Sequence, residues 1–239
     1  MKMLKLNLFA SVAVLGLVVV GCSNEKPVSA PEPKVVAPAA SANAATTPAM
    51  SATGFADPSK LTEKAPETFK AQFVTTKGNF TVEVTRSLAP NGADRFYNLV
   101  RSGFFSDIAF FRVVPGFMVQ FGIHGDPAVS AKWRDANITD DAVKSSNARG
   151  TLTFATAGPN TRTTQLFINY GNNTFLDGQG FSSFGKVVEG MEIVDSINSA
   201  SGENPNQGAI QQSGNAYLKK EFTNLDYIKS ASIVADAAK

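Results

Sequence analysis

An arginine and a glutamine stand inside the otherwise apolar stretch FFRVVPGFMVQFG. Arg112 and Gln120 are equidistant from Gly116, so a β-hairpin that turns there would place the two side chains opposite each other. A guanidinium is costly to place in an apolar strand unless it borders a polar cleft. With Phe117 and Met118 close by in the sequence, this pair could bind an amide group that carries an apolar side chain.

Two further stretches carry side chains that could complete such a cleft. In TFATAGPNTRTTQLFI, a Gly-Pro-Asn turn and a threonine-rich loop separate two apolar runs, and the second run contains Gln165 and Phe167. The third stretch begins with Phe175 and Leu176 in FLDG and continues in FGKVVEGM. The sequence therefore places candidate binding residues on strands and on the loops that join them.

The composition excludes several kinds of chemistry. The chain carries 22 Lys and Arg against 20 Asp and Glu, a formal charge of +2, whereas a nucleic-acid binder concentrates basic residues on one face. One cysteine and one histidine cannot form an internal disulfide, a thiolate cluster or a multi-histidine metal site. The sequence also lacks the GxSxG motif of the serine hydrolases. We therefore predict no metal site and no nucleic-acid partner.

Hydrophobic patterning predicts that these residues lie on a β-rich domain. Apolar residues alternate from Phe69 to Val84 on both sides of Lys77-Gly78-Asn79, which indicates a β-hairpin. The stretch from Pro90 to Gly103 predicts a short helix with a glycine stop. Further elements are predicted at Ile108–Val114, Phe117–Phe121, Thr151–Ala155, Gln165–Tyr170, Phe184–Val188 and near Tyr227–Val234 as strands, and at Met191–Ile197 as a second helix. The fold class is therefore mainly β, an antiparallel barrel with helices over its ends.

In order and spacing, the three stretches resemble the cyclophilin-type peptidyl-prolyl cis–trans isomerases, over about Phe69 to Ile197. The motif RVVPGFMVQ carries most of the resemblance, together with AGPNT, QLFI, LDG and FGKVVEGM. The resemblance implies a closed eight-stranded antiparallel barrel capped by two helices. It also implies isomerase activity on X–Pro bonds without a cofactor. The tail that contains GNAYLKK resembles bacterial members with an extended C-terminal loop.

The resemblance further assigns roles to individual residues. It implies that Arg112 stabilises the twisted amide and that Gln120 holds the substrate carbonyl oxygen. It implies a pocket for the proline ring that is formed by Phe117, Met118, Phe167 and Leu176. It also implies a groove for the preceding residues that is lined by Ala155, Thr156 and Gln165. Phe175 stands where many members have Trp, and Phe181 lies nearest the position of the family's histidine. We count both phenylalanines as substrate-binding residues.

The N-terminal region predicts export and lipidation. Lys2 and Lys5 precede a short apolar run that ends in VVGC at Cys22, a pattern typical of a secretory signal and similar to the lipobox of bacterial lipoproteins. We expect a signal peptide over 1–21 and a lipid anchor on Cys22. Ser23 resembles the sorting signal for the outer membrane, facing the periplasm. An unlipidated secretory signal and a Gram-positive cell surface are the alternatives.

The rest of the chain divides into a linker and one domain. Residues 22–60 are rich in Pro, Ala and Ser and hold half of the 12 prolines, a composition that cannot offset the entropy of ordering. We predict a disordered linker there and an isomerase domain over 61–239, and nothing in the sequence requires more than a monomer.

Two functions remain for this domain. The first is an isomerase that acts on proline-containing unfolded or loop segments of exported proteins. Proline isomerisation is a slow step in the folding of such proteins. The second is a binding module for proline segments with little turnover. The pairing of Arg112 with Gln120 favours the isomerase, because binding alone does not need that arginine.

Overall fold

The computed structural model describes residues 57–234. The predicted signal peptide, Cys22 and most of the predicted linker lie outside these residues, as does the C-terminal end of the predicted domain. Within the described part of the chain, no helix combines the length and the apolar character needed to span a bilayer.

The first two strands form the predicted hairpin. β1 (Thr68–Thr75) pairs antiparallel with β2 (Asn79–Thr85), and the alternate apolar side chains of β1 are buried. Gly78 in the turn has φ +136°, which L side chains rarely adopt. A Cβ atom there would lie 2.9 Å from Cδ1 at the end of the Ile193 side chain, which would have to shift, but the positive φ is the main reason for a glycine.

The predicted helix follows as α1 (Pro90–Ser102). A proline occupies its first turn, where no backbone N–H is needed. Gly103 ends the helix in a left-handed conformation, and its N–H donates to the carbonyls of Leu99 and Val100. The buried face of α1 includes Phe96, so the helix covers the apolar interior of the sheet.

The strands form one curled antiparallel sheet. Its order is β3-β9-β1-β2-β8-β6-β7-β5-β4. The remaining strands are β3 (Ile108–Ala109), β4 (Arg112–Val114), β5 (Met118–Phe121), β6 (Thr151–Phe154), β7 (Leu166–Asn169), β8 (Ser183–Glu189) and β9 (Tyr227–Val234). The mainly β antiparallel fold expected from the sequence is confirmed.

The strand count differs from the expected eight because the predicted strand Ile108–Val114 is two strands, which brings the total in the described residues to nine. β3 pairs with β9 and β4 pairs with β5. The chain crosses from one partner to the other at Phe110 and Phe111, whose side chains enter different apolar clusters. The two short strands are therefore one strand of the expected barrel, interrupted where it changes partner.

Closure of the barrel also differs in detail from the expectation. β3 and β4 are the two edges of the sheet, and only Phe110 and Phe111 separate them along the chain. The connection between consecutive strands therefore brings the two sheet edges together. In residues 57–234 no ladder of hydrogen bonds joins β3 to β4, so the chain itself completes the ring.

The described residues contain more helices than the two predicted. The second predicted helix is α3 (Met191–Asp195), and two others are α2 (Pro127–Trp133) and α4 (Gln207–Glu221). The tail expected as an extended loop therefore includes α4. Its apolar periodicity is weak, with Ile210 and Leu218 as its buried apolar residues, and Gly214 interrupts it with non-helical angles. The sequence of α4 therefore lacks the clear apolar repeat of 3.6 residues from which a helix is predicted.

Phenylalanine rings fill the interior beneath α1. Phe73, Phe96, Phe105 and Phe121 are buried, and their rings approach one another with centroids 5.7–6.1 Å apart. Aromatic pairs at this spacing contribute about 0.5–1.5 kcal/mol beyond the burial of their area. This core includes Phe121 of β5, the residue that follows Gln120, and so packs against the strand that carries this side chain.

Candidate active site

Arg112 and Gln120 meet across the β4–β5 hairpin as predicted. The two residues are direct partners in the antiparallel register, and Arg112 Nη1 donates a hydrogen bond to Gln120 Oε1 at 3.2 Å. Gln120 is buried, whereas 30% of the Arg112 side chain is exposed. The guanidinium therefore lies at the border between the protein interior and a cleft.

A second glutamine extends this polar row. Gln120 Nε2 donates to Gln165 Oε1 at 2.9 Å, and Gln165 directly precedes β7, the neighbour of β5. Three side chains from three adjacent segments thus form one hydrogen-bonded chain. A primary amide has two N–H donors, so Gln120 can donate to Gln165 and still offer a hydrogen to a ligand.

An apolar pocket lies beside the polar row. Met118, Phe167 and Leu176 are buried together at its base. Four partly buried side chains pack against them, those of Val114, Phe117, Ala155 and Phe181. The ring of Phe181 meets that of Phe167 edge to face, with centroids 5.8 Å apart. The base is thus apolar and can accept a ring of the size of a proline.

Leu176 is held in place by a 3₁₀ helix, Thr174–Gln179. Within it, Asp177 accepts hydrogen bonds from Ser146 and from the backbone and side chain of Asn147. Burial raises the pKa of the Asp177 carboxyl, but these hydrogen bonds outweigh it and hold the pKa below its ordinary value. The charged carboxylate of Asp177 therefore links the 3₁₀ helix that carries Leu176 to the loop that contains Ser146 and Asn147.

The cavity that these residues enclose has a volume of about 350 Å³. All but one of the catalytic and substrate-binding residues expected from the sequence line it: Arg112, Phe117, Met118, Gln120, Ala155, Thr156, Gln165, Phe167, Leu176 and Phe181. Phe175 does not line it. Its side chain is 57% exposed and stacks on the ring of Phe117, with centroids 6.0 Å apart, so it stands at the outer edge of the cavity.

The structure adds wall residues that the sequence analysis did not single out. Ala157, Thr161 and Thr163 belong to the threonine-rich loop, whose position between two site strands was a usable signal. Gln207 comes from the first turn of α4. Glu203, just before it, contacts Arg112 through its carboxylate. No local pattern connects these last two residues with the site, because they lie far from it along the chain.

Arg95 supports the threonine-rich loop from within the protein. Its guanidinium donates to the carbonyls of Thr163, at 3.0 Å, and Ala136, at 2.7 Å. It also lies over the ring of Trp133, 5.1 Å from the centroid. Burial lowers the pKa of Arg95 to about 10, so the group stays charged at neutral pH and keeps the loop in place.

A smaller cavity of about 140 Å³ continues from the first one. The two cavities share Thr161, Thr163 and Gln165, and the smaller one extends to His124. In residues 57–234 no group of three or more His, Cys, Asp or Glu side chains could hold a metal ion.

We predict that the pKa of His124 lies below its ordinary value. Burial lowers the pKa of His124 from 6.5, although Asp126 and Asp107 act in the opposite direction. The unfolded chain then binds a proton at a higher pH than the folded protein. The resulting contribution to the free energy of unfolding is present above about pH 6.5 and is lost as the pH falls through the folded pKa.

NMR measures this titration directly, because the chain has one histidine and its ring protons need no further assignment. The expected midpoint is below 6.5. Replacing His124 with Gln should remove the matching slope from the pH dependence of stability. A midpoint at or above 6.5 would contradict the prediction.

Comparison with known families supports the likeness found in the sequence. The model of the family "Cyclophilin type peptidyl-prolyl cis-trans isomerase/CLD" matches residues 70–215. The peptidyl-prolyl cis-trans isomerase A of Dickeya dadantii is 39% identical over 137 residues, which cover 54% of this chain and 71% of that protein. The peptidyl-prolyl cis-trans isomerase of Acinetobacter baylyi is 37% identical over 129 residues, which cover 52% of this chain and 68% of that protein.

Solved structures with a similar fold include a cyclophilin-type peptidyl-prolyl cis-trans isomerase of Cryptosporidium parvum. It aligns with a TM-score of 0.55 at 23% identity, over 71% of this chain and 99% of that one. A second structure of that protein, determined in the presence of the dipeptide Ala-Pro, aligns with a TM-score of 0.54 at 24% identity, over 70% of this chain and 99% of that one. At this identity the likeness shows the fold.

Proposed function

Because this chain belongs to the cyclophilin-type peptidyl-prolyl cis–trans isomerases and is an enzyme of that activity, we propose that Arg112 performs its catalytic step. The guanidinium would stabilise the twisted X–Pro amide, while Gln120 holds the substrate carbonyl oxygen. The observation that carries this proposal is the position of Arg112, whose Nη1 lies within 4.0 Å of Met118 Sδ in the base of the cavity.

The chemistry of the reaction requires little beyond such a cation. Resonance holds the X–Pro bond planar behind a barrier of about 18–20 kcal/mol, and rotation breaks no covalent bond. In the twisted state the lone pair becomes localised on the prolyl nitrogen. A positive charge that is already in place favours this state over both planar forms, which lowers the barrier without a nucleophile.

The shape of the cavity suggests how a substrate would lie in it. The proline ring would enter the apolar base formed by Met118, Phe167 and Leu176. The residues before proline would follow the groove beside Thr156 and Gln165. In this placement the X–Pro amide passes over the row of Arg112 and Gln120, where the guanidinium can reach its nitrogen.

Exchange spectroscopy on a short Xaa–Pro peptide tests the proposed mechanism. Substoichiometric protein should increase the rate of exchange between the cis and trans signals, and the increase should depend on Arg112. A protein that broadens or shifts the peptide signals but leaves the exchange rate at its uncatalysed value would be a proline-binding module instead.

We propose further that the enzyme acts in the bacterial cell envelope on exported proteins, anchored by lipid on Cys22, at the outer membrane facing the periplasm. The apolar run that ends in VVGC supports the anchor, and Ser23 supports the destination. Two acyl chains are sufficient for stable attachment of a protein to a bilayer. Slow X–Pro isomerisation in refolding exported chains supplies the substrate.

Mass spectrometry of the membrane fraction provides the test of the anchor. We expect a mature N-terminal peptide that begins at Cys22 and carries the mass of acyl chains, and a Cys22→Ala variant that leaves the membrane fraction. An unmodified mature N-terminus at any other residue would contradict the anchor, while the isomerase activity would be unaffected by that result.

A further inference from the structure

Glu203 is tied to the arginine of the site by two kinds of contact. Its carboxylate accepts a hydrogen bond from Arg112 Nε at 2.6 Å and forms an ion pair with Nη2. The backbone adds a second tie, since the N–H of Val113 donates to the carbonyl of Gly202 at 3.0 Å. Residues 202–203 therefore bind to residues 112–113 along the outer edge of β4, where no strand pairs with it in the described chain.

The two sides of the guanidinium thus have different partners. Glu203 occupies the edge formed by Nε and Nη2, whereas Nη1 is directed toward Gln120 and the base of the cavity. A guanidinium is planar, with its donors in a fixed fork. Because Glu203 and Gln120 bind different edges of this plane, the guanidinium is held in one orientation, with Nη1 facing the proposed substrate site.

The guanidinium that Glu203 holds also sets the direction of the hydrogen-bonded row. Arg112 has only donors, so it must meet Glu203 and Gln120 through their oxygens. Once Gln120 Oε1 accepts from Arg112, its amide nitrogen faces Gln165 and donates to Oε1 there. The nitrogen of Gln165 is then left as a donor. The donor-only guanidinium at one end of the row therefore favours one orientation of both amides.

We propose that Glu203 is a positioning residue of the isomerase, which acts by holding Arg112 in its productive orientation. This inference rests on the proposed catalytic role of Arg112. Glu203 is itself 60% exposed, so its ion pair contributes little to stability. Its contribution is to the geometry of the site, because small errors in the position of a catalytic group have large effects on rate.

Two variants test the proposal, Glu203→Gln and Glu203→Ala, with kcat and KM determined separately by NMR exchange at several peptide concentrations. We expect kcat to fall about 10-fold in Glu203→Ala, with a smaller loss in Glu203→Gln, while KM changes by less than about 2-fold, as when an interaction that favours the transition state is removed. An unchanged or increased kcat would overturn the proposal.

A matched control separates this effect from the loss of any surface ion pair. Glu63 pairs with Arg101 and has a comparable exposure, 49% against 60% for Glu203, but lies outside the cavity lining. Glu63→Gln should leave kcat and KM unchanged. Loss of activity in this control as well would overturn the specific role of Glu203.

A double variant distinguishes positioning from a structural role and from failure of the proposed mechanism. In the Arg112→Ala background, Glu203→Ala should have no further effect on kcat, because the two residues act through one interaction. A second, additive loss would show that Glu203 acts elsewhere and would overturn the inference. If Arg112→Ala alone retains full activity, the proposed catalytic role fails first, and with it the basis of this inference.

Discussion

Replacing Arg112 with Ala should lower kcat/KM for a short Xaa–Pro peptide by about 10²-fold, the usual cost of removing one preorganised charge-stabilising group. In the proposed mechanism the guanidinium favours the twisted amide and has no comparable role in binding the planar forms. Arg112→Lys retains the charge but loses the planar fork held by Glu203 and Gln120, so we expect an intermediate rate. Exchange spectroscopy on the same peptide gives both values.

Stability is the control for this prediction. The Arg112 side chain is 30% exposed and its partner Glu203 is 60% exposed, so truncation leaves no buried unpaired charge and the variant should unfold within about 1 kcal/mol of the wild type. Peptide affinity should also persist, since the base of the cavity is untouched. A fully active Arg112→Ala protein would remove the arginine from the proposed mechanism.

The part of the site that could be predicted from sequence is the part fixed by short-range rules. A tight turn at Gly116 sets the register of a two-residue-period hairpin, and this register places Arg112 opposite Gln120. A one-residue slip would have turned both side chains to the other face. The same logic gave β1, β2 and β9 with bounds close to those observed.

The remainder depends on contacts that no local pattern encodes. Glu203 meets Arg112 across 91 residues of chain, and α4 has no apolar stripe that would announce a helix or its approach to the cavity. Phe175 shows a different limit. It is adjacent to Leu176 in a 3₁₀ helix, and because Leu176 is buried in the pocket, Phe175 is directed outward. In a helix with three residues per turn, consecutive side chains point in different directions.

Arg162 is a buried arginine that the sequence analysis did not single out, and removing it is expected to destabilise the protein strongly. Only 4% of the Arg162 side chain is exposed, and 5% of that of its partner Asp141. Arg162 donates to Asp141 from Nη1 and Nη2, both at 3.1 Å, and to Asp140 from Nε. The carboxylate of Asp141 also accepts from the backbone N–H groups of Asn91 and Gly92, at 3.0 and 2.9 Å, in the first turn of α1.

Breaking this pair should therefore destabilise both a helix and the loop beside the cavity. Arg162→Met removes the cation while Asp141 stays buried, and we expect the free energy of unfolding to fall by about 3–5 kcal/mol, the cost of leaving one member of a buried ion pair alone. Asp141→Ala should cost a similar amount, because it removes the buried partner of Nη1 and Nη2, leaving the guanidinium only the more exposed Asp140, and it removes the acceptor for the N-terminal N–H groups of α1.

Urea unfolding of matched variants measures the difference. Arg149 pairs with Asp195 at 2.6 Å, but 47% and 41% of these side chains are exposed, so Arg149→Met should cost less than about 1 kcal/mol. The double variant Arg162→Met with Asp141→Ala should lose less than the sum of the single variants, since each single variant already includes the penalty of the stranded partner. Equal small losses for Arg162→Met and Arg149→Met would show that the buried pair contributes no more than a surface one.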